Sequence, residues 1–171
     1  MLKIDMHTHI LPKSMPNWTE KFGYGKFIEL IHNDNGTADM IQGGQFFRTI
    51  KENCWDENLR IEEYKKYETQ VQVVCTIPVM FSYWAKTNDC VALSQFLNDH
   101  IAELVQRYPK NYIGLGTIPM QDTQAAIDEL ERIKKIGLVG IQIGSNINDE
   151  NLSEDKFFPI FESCQRLGLA V

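Results

Sequence analysis

The chain has 171 residues, of which 43% are apolar and 23% charged. That balance excludes a disordered, collagenous or disulfide-dominated chain, and the length suffices for one domain with a sizeable core. Seventeen Lys and Arg against 23 Asp and Glu leave a net charge of -6, which argues against nucleic acid or an anionic membrane as the main partner but permits a local basic pocket for a small anion.

A first short strand is predicted at Leu2 to Met6. Residues 10–57 hold no clear βα unit; glycines punctuate them, with strand-like pieces at Phe27 to His32 and Gln45 to Ile50. A plain loop of that length is improbable in a compact domain, so a small β-ribbon insertion packed over one end of the sheet is expected. An amphipathic helix is predicted over Leu59 to Tyr67, followed by a strand at Val71 to Thr76 that is rich in β-branched residues. Asp89 to Tyr108 carries Leu93, Phe96, Leu97, Ile101, Leu104 and Val105 at helical spacing. A strand at Tyr112 to Gly116 and a helix over Thr123 to Ile136, stopped by Gly137, come next. Val139 to Ile143 and Phe157 to Leu167 repeat the strand and the helix, and Gly168 to Val171 begins a fifth strand.

Strands alternating with helices of this length mean βαβ units and a parallel sheet. Four such units and the start of a fifth strand amount to the first half of a (β/α)8 TIM barrel, which typically needs about 250 residues. Residues 1–171 are therefore expected to be the N-terminal part of one barrel domain in a longer protein.

Cys54, Cys75, Cys90 and Cys164 form no CxxC pair and match no zinc-finger spacing. Charge interrupts Met1 to Asp5 before any signal-peptide apolar region, and no apolar run approaches the roughly 20 residues of a membrane helix. The Asn-X-Ser/Thr triplets at Asn17, Asn35 and Asn151 then read as chance matches, and a cytoplasmic chain with reduced thiols is expected.

The chemistry starts at Asp5-Met6-His7-Thr8-His9. Side chains in a strand alternate faces, so His7 and His9 point to one side, where two imidazoles can ligate one metal ion. In a parallel barrel the C-terminal strand ends form the active-site face. Asp5 shares that face by the same alternation and is read as a supporting carboxylate rather than a third ligand. A catalytic zinc usually has three or more protein ligands. His100, inside the apolar stripe of its helix, reads as a packed histidine, and His32, beside Asn33 and Asp34, as a turn residue. The missing ligands are expected beyond Val171.

Arg48, flanked by aromatics in Gln45-Phe46-Phe47-Arg48-Thr49, is by itself a surface arginine whose stem covers apolar neighbours, and nothing lifts Arg60 or Lys51 above that reading. The aromatic segment Pro78 to Trp84 sits where a βα loop belongs, and suits a substrate wall, a lid, core packing or a subunit contact equally. Gly114-Leu115-Gly116 lacks the third glycine of a dinucleotide fingerprint, no P-loop or GxSxG elbow occurs, and Cys54 and Cys75 lack the context of a nucleophile.

Asp5 to Pro12 resembles the opening of the amidohydrolase superfamily, metal-dependent (β/α)8 barrels. Phe22 to Gly25, Phe47-Arg48, Glu52 to Asp56, Pro78 to Ala85, Gly114 to Gln121 and Gly140 to Gly144 are similar to its decarboxylase branch acting on 2-amino-3-carboxymuconate 6-semialdehyde, in tryptophan degradation by the kynurenine pathway. The resemblance runs through the whole chain but about half of such an enzyme. It implies a single zinc ion held by His7 and His9 together with a histidine and an aspartate outside this sequence, a further histidine for proton chemistry, no organic cofactor and a homodimer. It also implies that Arg48 binds the small dicarboxylate substrate, by a fork of hydrogen bonds to a carboxylate. Activation by hydroxide addition and by protonation at the carboxylate-bearing carbon both remain open, as do a hydroxybenzoate-type decarboxylase and a metal-dependent hydrolase. Taken literally, 171 residues would make an inactive half-barrel.

Overall fold

The computed structural model describes residues 1–171. Strand β1 (Ile4–His9) is followed by helix α1 (Trp18–Phe22) and strands β2 (Ile28–His32), β3 (Thr37–Gln42) and β4 (Gln45–Lys51). Then come α2 (Glu57–Lys65), β5 (Val71–Cys75), α3 (Thr87–Arg107), β6 (Tyr112–Gly116), α4 (Thr123–Lys135) and β7 (Gly140–Ile141). A two-stranded hairpin of β8 (Asn146–Ile147) and β9 (Glu150–Asn151) leads to α5 (Phe158–Leu167). Aspartates set two helix starts: Asp56 accepts from the Leu59 N–H at 2.8 Å and Asp122 from the Ala125 N–H at 3.0 Å. No helix is long and apolar enough to cross a membrane.

The main sheet is parallel and four-stranded, in the order β1-β5-β6-β7. The expected fifth strand is reduced to one parallel bridge between Gly140 and Ala170. This is an α/β partial barrel. Its helix-facing side is tight because β6 carries glycines there: a Cβ on Gly114 would stand 2.6 Å from Leu138 Cδ2 and 2.7 Å from Ile101 Cγ2. Ile101, Leu104, Leu130, Ile133, Ile160 and Cys164 fill the core between this side and the helices. The opposite, concave side is an apolar trough of about 600 Å3 lined by Ile4, Met6, Val73, Ile113, Leu115 and Ile141 among others.

The insertion is not a two-stranded ribbon but a three-stranded antiparallel meander, β2-β3-β4, with α1 beside it. Thr37 to Gln42 escaped prediction because its alternation of polar and apolar residues lasts only from Thr37 to Met40 and breaks at Ile41 and Gln42. Trp18, Phe27, Ile28 and Met40 join Met80, Ala85, Leu93 and Leu97 in a second core, so the meander covers the loop after β5 and the first half of α3.

Helix α2 also departs from expectation. Its one buried residue is Arg60, at 6% exposure, whereas Leu59 is 38% exposed. The sheet-facing side of this helix is mixed rather than apolar, with half-buried Ile61 against the main core beside Arg60 and Tyr64, and Arg60 is not the surface arginine its sequence context suggests.

Candidate metal centre

Strand β1 runs on to His9, so both histidines lie within it at its C-terminal end. Simple alternation fails there. Ile4 pairs with Val71 and Asp5 with Gln72, but Thr8 pairs with Val74 and His9 with Cys75: β1 spends one more residue than β5 over this stretch. The bulge places two consecutive residues, Met6 and His7, on the trough. Asp5 is consequently turned to the helix side, where its Oδ2 accepts from the Tyr64 hydroxyl at 2.8 Å and its Oδ1 from the His7 N–H at 3.3 Å. This corrects the expectation that Asp5 shares the histidine face: its carboxylate is engaged by Tyr64 and the His7 backbone N–H.

The His7 and His9 rings meet edge to face, with centroids 4.8 Å apart. Nδ1 of His9 lies 2.9 Å from the Thr76 carbonyl oxygen. Only a protonated Nδ1 satisfies that contact, which leaves the lone pair on Nε2 as a metal ligand requires. Burial, helped by the neighbouring His7 and Arg60 charges, holds His9 below the ordinary histidine value, and the neutral ring is the ligating form.

One donor was missed by sequence reasoning. Cys75 Sγ, together with a nitrogen of His7 and one of His9, forms a set of three potential ligand atoms within 4.8 Å of one another. Burial pushes this thiol up to about 11. It donates to the Thr8 carbonyl at 3.4 Å and sits 3.5 Å from Nδ1 of His9, the nitrogen already engaged by Thr76. Linear spacing carries no sign of this, because Cys75 and His9 meet only through the pairing of β5 with β1.

Behind the histidines Arg60 donates from Nε to Gln72 Oε1 and from Nη1 to the Asn53 carbonyl, each at 2.8 Å, and from Nη2 to Thr8 Oγ1. The Tyr64 hydroxyl lies 3.4 Å from the same Thr8 oxygen. Arg60 and Tyr64 stand four residues apart, one helical turn, and that spacing was the available sequence signal.

The other predicted positions fall as follows. Arg48 is exposed on β4, its guanidinium 5.8 Å from the Phe47 ring. It pairs with buried Met40 across the strands, and directly paired residues share a face, so Arg48 lies on the side of the meander that packs on the barrel. Lys51 is exposed. His100 packs in α3 with a buried, unpartnered Nε2, and His32 ends β2 with its Nε2 on the Lys13 carbonyl, so neither joins the histidine pair. Within the aromatic loop Met80, Phe81 and Tyr83 are buried, while Trp84 stays 44% exposed against Phe27. That loop is mainly core.

A sequence profile described as amidohydrolase matches residues 4–171. A 2-amino-3-carboxymuconate-6-semialdehyde decarboxylase of Dictyostelium discoideum is 54% identical over 99% of this chain and 48% of its own length. The enzyme of that name from Caenorhabditis elegans is 34% identical over 98% of this chain and 47% of its own length. Among solved structures, a 5-carboxyvanillate decarboxylase of Novosphingobium aromaticivorans complexed with manganese aligns with a TM-score of 0.65 and 26% identity, over 69% of this chain and 34% of that one. The chain spans about half the length of the curated relatives it matches. It belongs to the amidohydrolase family.

Proposed function

We propose that this chain contributes two ligands, His7 and His9, to the divalent metal of a non-oxidative decarboxylase. The observation that carries the reading is the pair of imidazoles on the concave side at the C-terminal end of β1, one with its Nδ1 already satisfied by Thr76. Names of relatives at 54% and 34% identity support 2-amino-3-carboxymuconate 6-semialdehyde as the substrate and 2-aminomuconate 6-semialdehyde as the product. Zinc is the metal we propose, with the remaining ligands and the proton-transferring histidine supplied by sequence after Val171, and residues 1–171 forming the first part of one barrel domain. A homodimer in the cytoplasm completes the proposal.

When bound, such a metal polarises substrate oxygens as a Lewis acid. The chain's own residues then have separable tasks. His7 and His9 present imidazole nitrogens to the metal. Asp5, outside the ligand set, fixes the His7 backbone N–H. Arg48, on the barrel-facing side of the meander, grips a substrate carboxylate and orients the dicarboxylate for CO2 loss.

The 5-carboxyvanillate decarboxylase similarity favours a second reading, a decarboxylase of an aromatic acid. Both are tested on the full-length protein loaded with zinc, by following CO2 release from the aminocarboxymuconate semialdehyde and from 5-carboxyvanillate. Turnover of the semialdehyde with KM rising roughly 10- to 150-fold in Arg48→Ala supports the first reading, the range following from loss of one charged hydrogen-bonded contact. Preference for the aromatic acid supports the second. Turnover of neither, or full metal content in a His7→Ala, His9→Ala variant, defeats the metal-site assignment.

A further inference from the structure

We infer that Arg60 and Tyr64 are positioning residues that hold the bulge of β1 and so turn His7 and His9 toward the concave side; this rests on the metal reading proposed above. Without a bulge the alternation starting from Ile4 on the trough would place Asp5, His7 and His9 together on the helix side. The extra residue between Asp5 and Thr8 reverses the faces of His7, Thr8 and His9 and leaves Asp5 on the helix side. Something must keep that irregular register, and the contacts identify it.

Both ends of the bulge are held from α2. Tyr64 bonds Asp5 Oδ2 at 2.8 Å, and Asp5 in turn accepts the His7 N–H. Arg60 donates to the hydroxyl of Thr8, the residue between the two histidines. The guanidinium is itself anchored to Gln72 of β5 and to the Asn53 carbonyl. Gln72 is the β5 partner of Asp5, so the fork spans the segment in which the two strands lose step.

An apolar residue at position 60 would bury the same helix face without desolvating a charge. What only the planar fork supplies there is simultaneous bonding to oxygens of three separate segments. Thr8, for its part, lies opposite the ligand face, where a strand hydroxyl has no metal to touch. Its oxygen instead serves α2.

The test uses the full-length protein and reads metal affinity rather than activity: zinc Kd by competition with a chromogenic chelator, and the visible spectrum of the cobalt(II) form. Arg60→Met is expected to weaken zinc binding about 10- to 100-fold, the usual effect of removing support from metal ligands. Thr8→Val and Tyr64→Phe should weaken it less, and Arg60→Met with Thr8→Val no more than Arg60→Met alone, since both remove one contact. The cobalt bands should change shape in Arg60→Met, a signature that lost stability by itself does not produce. Folded variants with unchanged zinc Kd and cobalt bands overturn the inference. If Arg60→Met does not fold, unchanged zinc Kd in both hydroxyl variants overturns it. Wild-type protein that binds no zinc brings down the metal reading itself, whereas wild-type binding abolished by His7→Ala but indifferent to Arg60, Thr8 and Tyr64 removes only the clamp.

Discussion

Asn98 of α3 is fully buried and ties three elements together. Its Nδ2 donates to the Thr117 carbonyl at 2.8 Å and to Glu129 Oε1 of α4 at 2.6 Å, and its Oδ1 accepts from the Thr117 N–H at 2.7 Å. Thr117 directly follows β6, so this side chain fixes the chain where it leaves the sheet on the proposed site face. Asn98→Leu keeps the approximate shape but strands the buried N–H and C=O of Thr117. Glu129 is left less exposed to loss, because Arg132 and Gln95 still bond its carboxylate. Two orphaned backbone groups at about 1–3 kcal/mol each give a destabilisation of about 2–6 kcal/mol, a large share of the roughly 5–15 kcal/mol of a typical domain. Asn98→Asp makes a sharper comparison. It preserves the acceptor for the Thr117 N–H but aims an oxygen at both the Thr117 carbonyl and the Glu129 carboxylate. The new carboxyl therefore has a raised folded-state pKa, and its ionised form destabilises the protein at neutral pH. As pH falls through that raised value, protonation restores a donor and part of the lost stability returns. Urea unfolding of wild type, Asn98→Leu and Asn98→Asp at about pH 7 and about pH 5 measures this. Asn98→Leu within 1 kcal/mol of wild type (about the worth of one ordinary hydrogen bond) would refute the reasoning, as would an Asp-to-Leu difference that ignores pH.

Gly140→Ala should lower the melting temperature more than Gly114→Ala, because the new Cβ meets the Ala170 backbone oxygen at 2.5 Å in the first case and movable side chains in the second; overpacking of the latter kind costs about 1–3 kcal/mol, and the reverse order in thermal unfolding would show that the Ala170 segment yields easily. Burial lowers the His100 pKa despite the opposing charges of Glu57 and Glu103, so the unfolded chain binds the proton more readily. The stability this contributes is present above the ordinary value of 6.5 and is lost as pH falls from there toward the depressed folded value. Comparing wild type with His100→Gln across that window should therefore give a shallower decline for the variant, and parallel curves would exclude the buried histidine as the cause. Cys75→Ser should retain its metal in the full-length protein, because the thiol stands beside the engaged Nδ1 of His9; loss of metal, read by elemental analysis, would make Cys75 a ligand.

Much of the candidate site is legible in the order of residues. The pair His7 and His9 at the end of a first apolar strand stands out before any fold is known, whereas Arg48 enters only through the family resemblance. Beyond the one-turn spacing of Arg60 and Tyr64, the other parts are silent. Thr8 and Tyr64 are ordinary in sequence, and Arg60 sits in a helix of low apolar contrast, where a charged residue normally faces solvent. It is buried because Gln72, Asn53 and Thr8 converge on it, and those partners come from three different segments. Cys75 likewise gains its neighbour His9 by strand pairing alone.

Hydrophobic periodicity is a local property, and it specified the alternation of strands and helices and the parallel sheet. Which face of β1 carries its histidines is another matter. Strict alternation groups Asp5 with His7 and His9, yet one bulge separates them. A bulge is a mismatch of count between two strands, and here the strands meet across a sequence separation of 67 residues at His9 and Thr76. No periodicity within β1 records that mismatch. It exists only once β5 lies alongside and α2 closes over Asp5 and Thr8, because register is a property of the pair and not of either strand.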